Sequence, residues 1–282
     1  MAKKTKLITF TRFEESTGSH WLGIYFSSSS QDSILDWVII EKARSWDNTH
    51  FAIKVDQSSV SFENLTLENY YNRWGIVLNN SSSFIASSAF SGFNDSSQGL
   101  EPTAIYIKQG SPTIENSIFT ENTYGIRIEL AASPIIEGNY FEENEKPIYF
   151  NGASPYFEGN SVEKNKFNGI FVGSGNLSTT TWQADLPYII EKGAVAAGAT
   201  LTLEPGVIVK FSSDGYLEIY GKFIAQGTSE KPIVFTSLKD DYGGDTNNDE
   251  NAFQPDLSDW NYIWFHSLGS ILDNVLIDSL LN

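Results

Sequence analysis

The chain has 282 residues, of which 40% are hydrophobic and 14% aromatic, and its formal net charge is −17. That is apolar material for one large core or two ordinary ones, while so acidic a balance argues against nucleic-acid binding, which relies on Lys and Arg to neutralise phosphates. Cysteine is absent, which removes disulfides, thiolate metal sites and cysteine nucleophiles, and no run approaches the ~18 apolar residues that membrane insertion requires.

Met1-Ala2-Lys3-Lys4 carries charge with no apolar stretch behind it, so no secretory leader is expected within this sequence. The abundance of Ser, Asn, Thr and Gly beside few Lys and Arg points to an extracellular or cell-surface bacterial protein. From there a marker recurs: Gly, Ala or Pro, then Ile, any residue, and an apolar residue. It reads GIYF at 23, AIKV at 52, GIVL at 75, AIYI at 104, GIRI at 125, PIYF at 147 and GIFV at 169, with spacings of 29, 23, 29, 21, 22 and 22 residues. A Ser-rich turn and alternating apolar residues follow, as in SVSFENLTL at 59 and SPTIENSIF at 111. An Asn closes the unit at Asn69, Asn122, Asn144 and Asn165.

Alternation at period two is the signature of strands, not helices. A short strand-only unit cannot bury its own inward face, so successive units must stack. Parallel pairing of equivalent strands, about 4.8 Å apart, satisfies every rung in the same way. In each triplet the flanking residues then point inward and the middle one outward.

SPTIENSIFTENTYGIRI at 111, SPIIEGNYFEENEKPIYF at 133 and SPYFEGNSVEKNKFNGIFV at 154 resemble the repeat of the right-handed β-helix (pectin-lyase-like) superfamily, I-x-x-N-x-F-x-x-N-x-x-G-I. The match is close over 111–172 and looser over 20–110. It implies an all-β, single-stranded right-handed parallel β-helix of about ten coils, roughly 50 Å of stacked strands. In coils of this kind stacked Asn side chains hydrogen-bond the turn backbones, a role that falls here to Asn139 and Asn160 and, separately, to Asn122, Asn144 and Asn165.

From Thr181 the pattern changes. Strands are expected at 200–204, 207–211, 216–220 and 232–236, with turns at Pro205-Gly206 and Asp214-Gly215. The expected organisation is one domain over 1–282, with short-repeat coils at 7–180, coils of a second type at 181–282, and an acidic inserted loop at 238–259. LITFTRFEES…HWLGIYF…SILDWVII at 7–40 also parallels PIVFTSLKDD…DWNYIWF…SILDNVLI at 232–277, aligning Ile8 with Ile233, Trp21 with Trp260 and Asp36 with Asp273. The chain thus starts and stops inside one kind of unit, as expected of a segment that flanking modules of a longer chain continue, or whose ends stack on neighbouring subunits.

Three features could carry chemistry. The outward column of the triplets reads Tyr25, Lys54, Val77, Tyr106, Arg127, Tyr149 and Phe171, with Trp264 as an extension. Tyr25, Lys54, Tyr106, Arg127, Tyr149 and Phe171 would suit a polysaccharide or cell-surface glycan, whose apolar sugar faces pack on rings; equally, aromatics on adjacent strands stabilise a sheet. A second outward column, Glu63, Glu115, Glu137 and Glu158, sets like charges on adjacent rungs that solvent or cations must relieve, so it reads as a solvated acidic face, with cation binding as the alternative. Third, DDYGGDTNNDENAFQPDLSD at 240–259 places Asp245, Asn247 and Asp249 at alternate positions, the spacing with which short oxygen side chains of one loop converge on calcium. Asp241 and Asp256 complete the expected ligand set. Glu250 stands where an EF-hand needs Gly and no helix flanks the loop, so the choice lies between a calcium turn inserted between strands and an acidic loop without metal.

The resemblance also implies an enzymatic alternative: lyases of this fold pair calcium-holding aspartates with an Arg or Lys base, and glycosidases use two or three aspartates on the outer sheet. The outward column holds no Asp, its bases are Lys54 and Arg127, and His20, His50 and His266 occur singly. The reading is therefore a non-catalytic segment of a larger surface protein, acting in adhesion or polysaccharide binding with calcium as cofactor. A polysaccharide lyase or glycoside hydrolase and a purely structural spacer are the alternatives.

Overall fold

Extended backbone sends successive side chains to opposite faces, so the two outer members of each Ile-x-apolar triplet share a side. Stacked coil on coil, those triplets build the main sheet. The structure, a computed structural model, describes residues 7–11, 21–43, 51–68, 73–95, 101–129, 131–250, 252–256 and 258–277; Met1–Lys4, His20, His50 and Asn69 lie outside them. Among the described residues every element is a strand, and the pairs run parallel.

The main sheet has 13 strands. It runs through Ile24–Phe26, Phe51–Asp56, Trp74–Asn79, Thr103–Ile107, Tyr124–Ile128, Lys146–Phe150, Ile170–Val172, Tyr188–Val195, Ile208–Ile219, Ile233–Ser237 and Val275–Ile277. Asn176–Leu177 and Trp260–Phe265 pair with the second halves of the two longest strands. Ile53, Ile76, Ile105, Ile126, Ile148 and Ile170 occupy one register position and are all fully buried. A six-stranded sheet from Ser33–Asp36 to Tyr156–Glu158 and a seven-stranded one from Ile8–Phe10 to Ser161–Glu163 close the coil. Inside the latter, Phe90, Phe119 and Phe141 stack with centroids 5.0 and 4.8 Å apart. The chain is a right-handed parallel β-helix.

The corners explain the repeated Asn. Between the six- and seven-stranded sheets a left-handed residue precedes a buried polar one: Asn116 then Ser117, Gly138 then Asn139, Gly159 then Asn160. Asn and Gly tolerate that backbone region better than other residues. Each buried side chain answers the coil before it. Asn144 Oδ1 accepts from the backbone N–H and the Nδ2 of Asn122 at 3.1 and 2.9 Å, and Asn165 Oδ1 does the same for Asn144 at 2.8 and 2.9 Å. Asn160 Oδ1 takes both donors of Asn139 at 3.1 Å, while Ser117 donates its backbone N–H to Asn139. Both expected columns are therefore continuous, and the buried turn amides are paired, as burial demands.

A seam follows. The six-stranded sheet ends at Tyr156–Glu158 and the seven-stranded one at Ser161–Glu163, and a four-stranded sheet begins at Thr180–Trp182 and continues through Thr200–Leu203, Lys222–Gln226 and Ile271–Asp273. Of the sheets, only the 13-stranded one crosses this point. Side chains stand in for the missing ladder: Phe157 N–H donates to Gln183 Oε1 at 3.2 Å, and Asn160 gives its backbone N–H and its Nδ2 to the two Asp185 oxygens at 3.1 and 2.7 Å.

Beyond the seam the strands at Thr200–Leu203 and Ile233–Ser237 match expectation, and Lys222–Gln226 is additional. The turn expected at Asp214-Gly215 is instead a bend within the single strand Ile208–Ile219. Asp214 takes a φ of 60°, but the strand pairs with Tyr188–Val195 on both sides of the bend, so the sheet carries it through. The likeness between the first and last units is geometric as well. Ile8 pairs with Val38 and Ile233 with Val275, and a left-handed residue, Trp37 or Asn274, precedes the partner strand in each.

Candidate functional site

The outward column exists. Tyr25, Lys54, Val77, Tyr106, Arg127, Tyr149 and Phe171 are register partners on successive strands. Tyr25 is open, 55% exposed, with its hydroxyl 3.1 Å from Asp56 and Lys54 Nζ 5.1 Å from its ring. Tyr106, Arg127 and Tyr149 are half-buried. The Arg127 guanidinium lies 5.3 Å from the Tyr106 ring and 5.4 Å from that of Tyr149, held by Glu129 at 2.8 Å and by Glu101. Trp74 packs on Tyr106 at 5.2 Å. Burial pushes the neighbouring Tyr124 hydroxyl up to about 12, so this layer presents neutral rings around the Arg127 cation, with Lys108 also 5.2 Å from the Tyr106 ring.

Three positions do not behave as expected. Val77 is 2% exposed and interrupts the open face between Lys54 and Tyr106. Phe171 is 2% exposed, covered by Phe167 at 4.9 Å and by the Lys146 ammonium at 4.3 Å from its ring, so it offers no stacking face. Trp264 does not extend the column: it pairs with Glu218, which pairs with Ala194, because Trp260–Phe265 joins the sheet beyond the bend. The column continues instead through Ile189, Lys210 and Thr236, all fully buried.

Trp264 belongs to a separate array. Tyr216 and Tyr262 stack at 5.3 Å, Tyr220 and His266 at 4.2 Å, and Trp264 and His266 at 4.6 Å. Trp264 is 55% exposed.

What buries the end of the column is the acidic insert. Leaving Ile233–Ser237 at a corner, it folds back over the sheet and is anchored from below by Lys210. This side chain is 0% exposed and donates to the carbonyls of Asp240 and Gly244, the latter at 2.8 Å. Burial pulls the Lys210 ammonium down to about 8 against the opposing pull of Asp240, Asp241 and Asp245. Asp240 is itself held by the Thr236 hydroxyl at 2.5 Å and the Tyr242 N–H at 2.8 Å.

Above this anchor the expected metal ligands converge. Carboxylate oxygens of Asp241, Asp245 and Asp249 lie within 4.8 Å of one another, inside the span that two oxygens bound to one calcium at about 2.4 Å can reach. Asp241 Oδ1, Asn247 Oδ1 and Asp249 Oδ1 are buried and have no hydrogen-bond partner. Two of these acceptors, on Asp241 and Asp249, belong to the converging group, and Asn247 is tied to it through its Nδ2 on Asp249 Oδ2 at 2.5 Å. Buried orphaned acceptors are costly unless a cation satisfies them, and an all-oxygen set suits a hard ion. Desolvation raises the Asp241 carboxyl above its ordinary value, with Asp245 adding to the effect and Lys210 opposing it. Asp245 also shapes the loop, accepting the N–H groups of Asp249 at 3.1 Å and Glu250 at 3.0 Å. Asp256 stands apart: it is exposed and outside the converging group, and its N–H donates to Asp259 at 2.8 Å. That places Asp256 with Ser237 and Lys239 around the Asp259 carboxylate, at the insert's return.

The acidic column is also in register, Asp36 and Glu63, then Ala86, then Glu115, Glu137 and Glu158; Ala86 parts Glu63 from Glu115, while Asp36 and Glu63, and Glu115, Glu137 and Glu158, remain direct like-charged neighbours.

These features define a right-handed parallel β-helix with an acidic loop folded onto its longest sheet. The family model described as a right-handed β-helix region matches residues 51–185, the stretch from Phe51–Asp56 through Thr180–Trp182, in agreement with a pectin-lyase-like fold. No curated protein and no solved structure matches the chain.

Proposed function

We propose that this chain is a non-catalytic β-helix segment of a larger bacterial surface protein, that it binds polysaccharide on its outer aromatic faces, and that the 241–249 loop holds calcium. The observation that carries the binding reading is the run of rings and fixed cations along one face, from open Tyr25 and Lys54 to the Tyr106–Arg127–Tyr149 layer. The open and half-buried rings stand three rungs apart from Tyr25 to Tyr106 and two from Tyr106 to Tyr149. Each offers a flat apolar surface, and the cations and carboxylates between them offer hydrogen bonds to hydroxyls. The array around Trp264 gives a second such surface.

Retention on a panel of soluble and insoluble polysaccharides tests this. Tyr25→Ala with Lys54→Ala, and separately Trp264→Ala, should weaken retention several-fold. Tyr25 and Trp264 are exposed and Lys54 is half-buried in a surface ion pair with Asp56, so the cost in stability should stay at about 1 kcal/mol. No retention of the unaltered protein by any glycan would leave the spacer reading in its place. The lyase reading has one observation in its support, a lysine of lowered pKa beside the acidic cluster. But Lys210 is fully buried and its ammonium is committed to two loop carbonyls, out of reach of a polymer. That favours a structural role for it.

For the metal, Asp241, Asp245, Asn247 and Asp249 are the proposed ligands. Calcium at 100-fold over its Kd should add about 2.7 kcal/mol to stability, and Asp245→Ala with Asp249→Ala should abolish the gain. A melting curve indifferent to both calcium and chelator refutes the site.

A further inference from the structure

The insert is placed where the fold is least continuous. Two of the three sheets that form the early coils stop at the seam, and a solenoid's stability is a sum over neighbouring coils, so a break in two faces weakens the coupling there. Each buried Asn column must also end at this point, because the next coil provides no matching Asn. One column ends on Asp185. The other ends on the insert. Asn165 gives its backbone N–H and its Nδ2 to Asn168 Oδ1, both at 3.1 Å. Asn168 then donates its backbone N–H to Thr246 O at 2.7 Å and its Nδ2 to Asp245 O at 3.0 Å. The loop carbonyls thus act as the missing rung.

The loop reaches Asn168 from the far side of the seam. It leaves after Ile233–Ser237, and the register path back runs through Ile208–Ile219 and Tyr188–Val195 to Ile170–Val172. That is three rungs, about 14 Å. Lys210, in the middle of the path, fixes the loop to the sheet through the Asp240 and Gly244 carbonyls.

We propose that residues 238–250 form a clasp that fastens the coils after the seam to those before it, with Lys210 and Thr236 as its positioning residues. The clasp stands on these hydrogen bonds. The further statement that a cation tightens it rests on the calcium reading above, since Asp245 serves the cluster with its carboxylate and Asn168 with its carbonyl.

Amide hydrogen exchange on the whole chain separates the two ideas. The readout is the backbone N–H of Asn165 and Asn168, with those of Asn122 and Asn144, deeper in the same column, as internal reference. Lys210→Met removes the ammonium. Thr236→Val removes only the hydroxyl that holds Asp240 and keeps the shape, so it serves if the first variant does not fold. In chelator, either variant should speed exchange at Asn165 and Asn168 roughly tenfold, the loss expected of two hydrogen bonds, and leave Asn122 and Asn144 unchanged. Added calcium should restore part of the protection. A response to the variants but not to calcium keeps the clasp and removes the cation from it. Unchanged exchange at Asn165 and Asn168 in folded variants overturns the clasp, even if calcium raises the melting temperature.

Discussion

Replacing Asn144 with Ala removes the centre of the longer Asn column. The side chain accepts the backbone N–H and Nδ2 of Asn122 at 3.1 and 2.9 Å, and donates to Phe119 O at 2.9 Å, Glu142 O at 3.0 Å and Asn165 Oδ1 at 2.9 Å. Asn122 and Asn144 are both buried. Truncation strands the Asn122 backbone N–H, at about 1–3 kcal/mol, and takes one partner each from the Asn122 side-chain amide, which keeps Phe90 O at 3.3 Å, and from the Phe119 carbonyl, at about 1 kcal/mol apiece. Water entering the vacated space recovers part of that loss, which leaves an expected cost of about 4 kcal/mol. Asn144→Ser should recover some of it, because Ser117 Oγ already accepts the Ser88 N–H at 3.1 Å at the corresponding place in the other column. Urea titration followed by far-ultraviolet circular dichroism measures both variants. A cost below about 1 kcal/mol for Asn144→Ala, in the range of an ordinary surface change, would refute the reading that the Asn side chains satisfy the buried amides of the corners.

Phe119→Ala opens a gap between Phe90 and Phe141 and should cost about 4 kcal/mol; a melting temperature within a degree or so of the parent would contradict the stacked core. Burial raises the Asp185 carboxyl above its usual value despite the donors of Asn160, so the native state holds that proton more tightly than the unfolded chain. Stability contributed by this group is full below the unfolded value and is lost as pH rises through the folded one. Asp185→Asn removes that loss, since one amide oxygen can take both Asn160 donors as Asn160 does for Asn139. The variant should therefore be more stable than the parent at pH 7, by a margin that shrinks in acid, and equal urea midpoints at neutral pH would count against it. Arg127→Lys keeps the charge but loses the planar fork between Glu101 and Glu129 and its stacking on Tyr106 and Tyr149; about 1–2 kcal/mol is expected for this half-buried cation, with a double-mutant cycle against Glu129→Gln as the check.

The winding of the chain and both Asn columns are legible in the short repeats, because each coil states its own needs locally. Ile at the inward positions, a turn residue that accepts positive φ, and Asn after it recur at fixed offsets, and each has a physical reason visible within some twenty residues. The outward column is equally legible as a register. Its exposure is not. Phe171 is covered through Phe167 and Lys146, and Lys210 through a loop whose contact with Asn168 is 77 residues away in sequence. Lys210 could have been found by carrying the triplet rule into VIVKF, where a charged residue falls at the outward place between apolar neighbours. Sequence spacing alone groups Asp256 with the calcium ligands, and spacing does not report that the chain has by then turned back toward Asp259.

Because the inward apolar side chains and the corner Asn of the short-repeat coils meet near-copies of themselves above and below, whole turns are interchangeable parts. Excising 124–145, a full period of 22 residues, would bring Ile105 against Ile148, Tyr106 against Tyr149 and Ser117 against Asn160, and would hand the donors of Asn122 directly to Asn165. A chain built on this scheme can change its length by duplication or deletion without redesigning what remains.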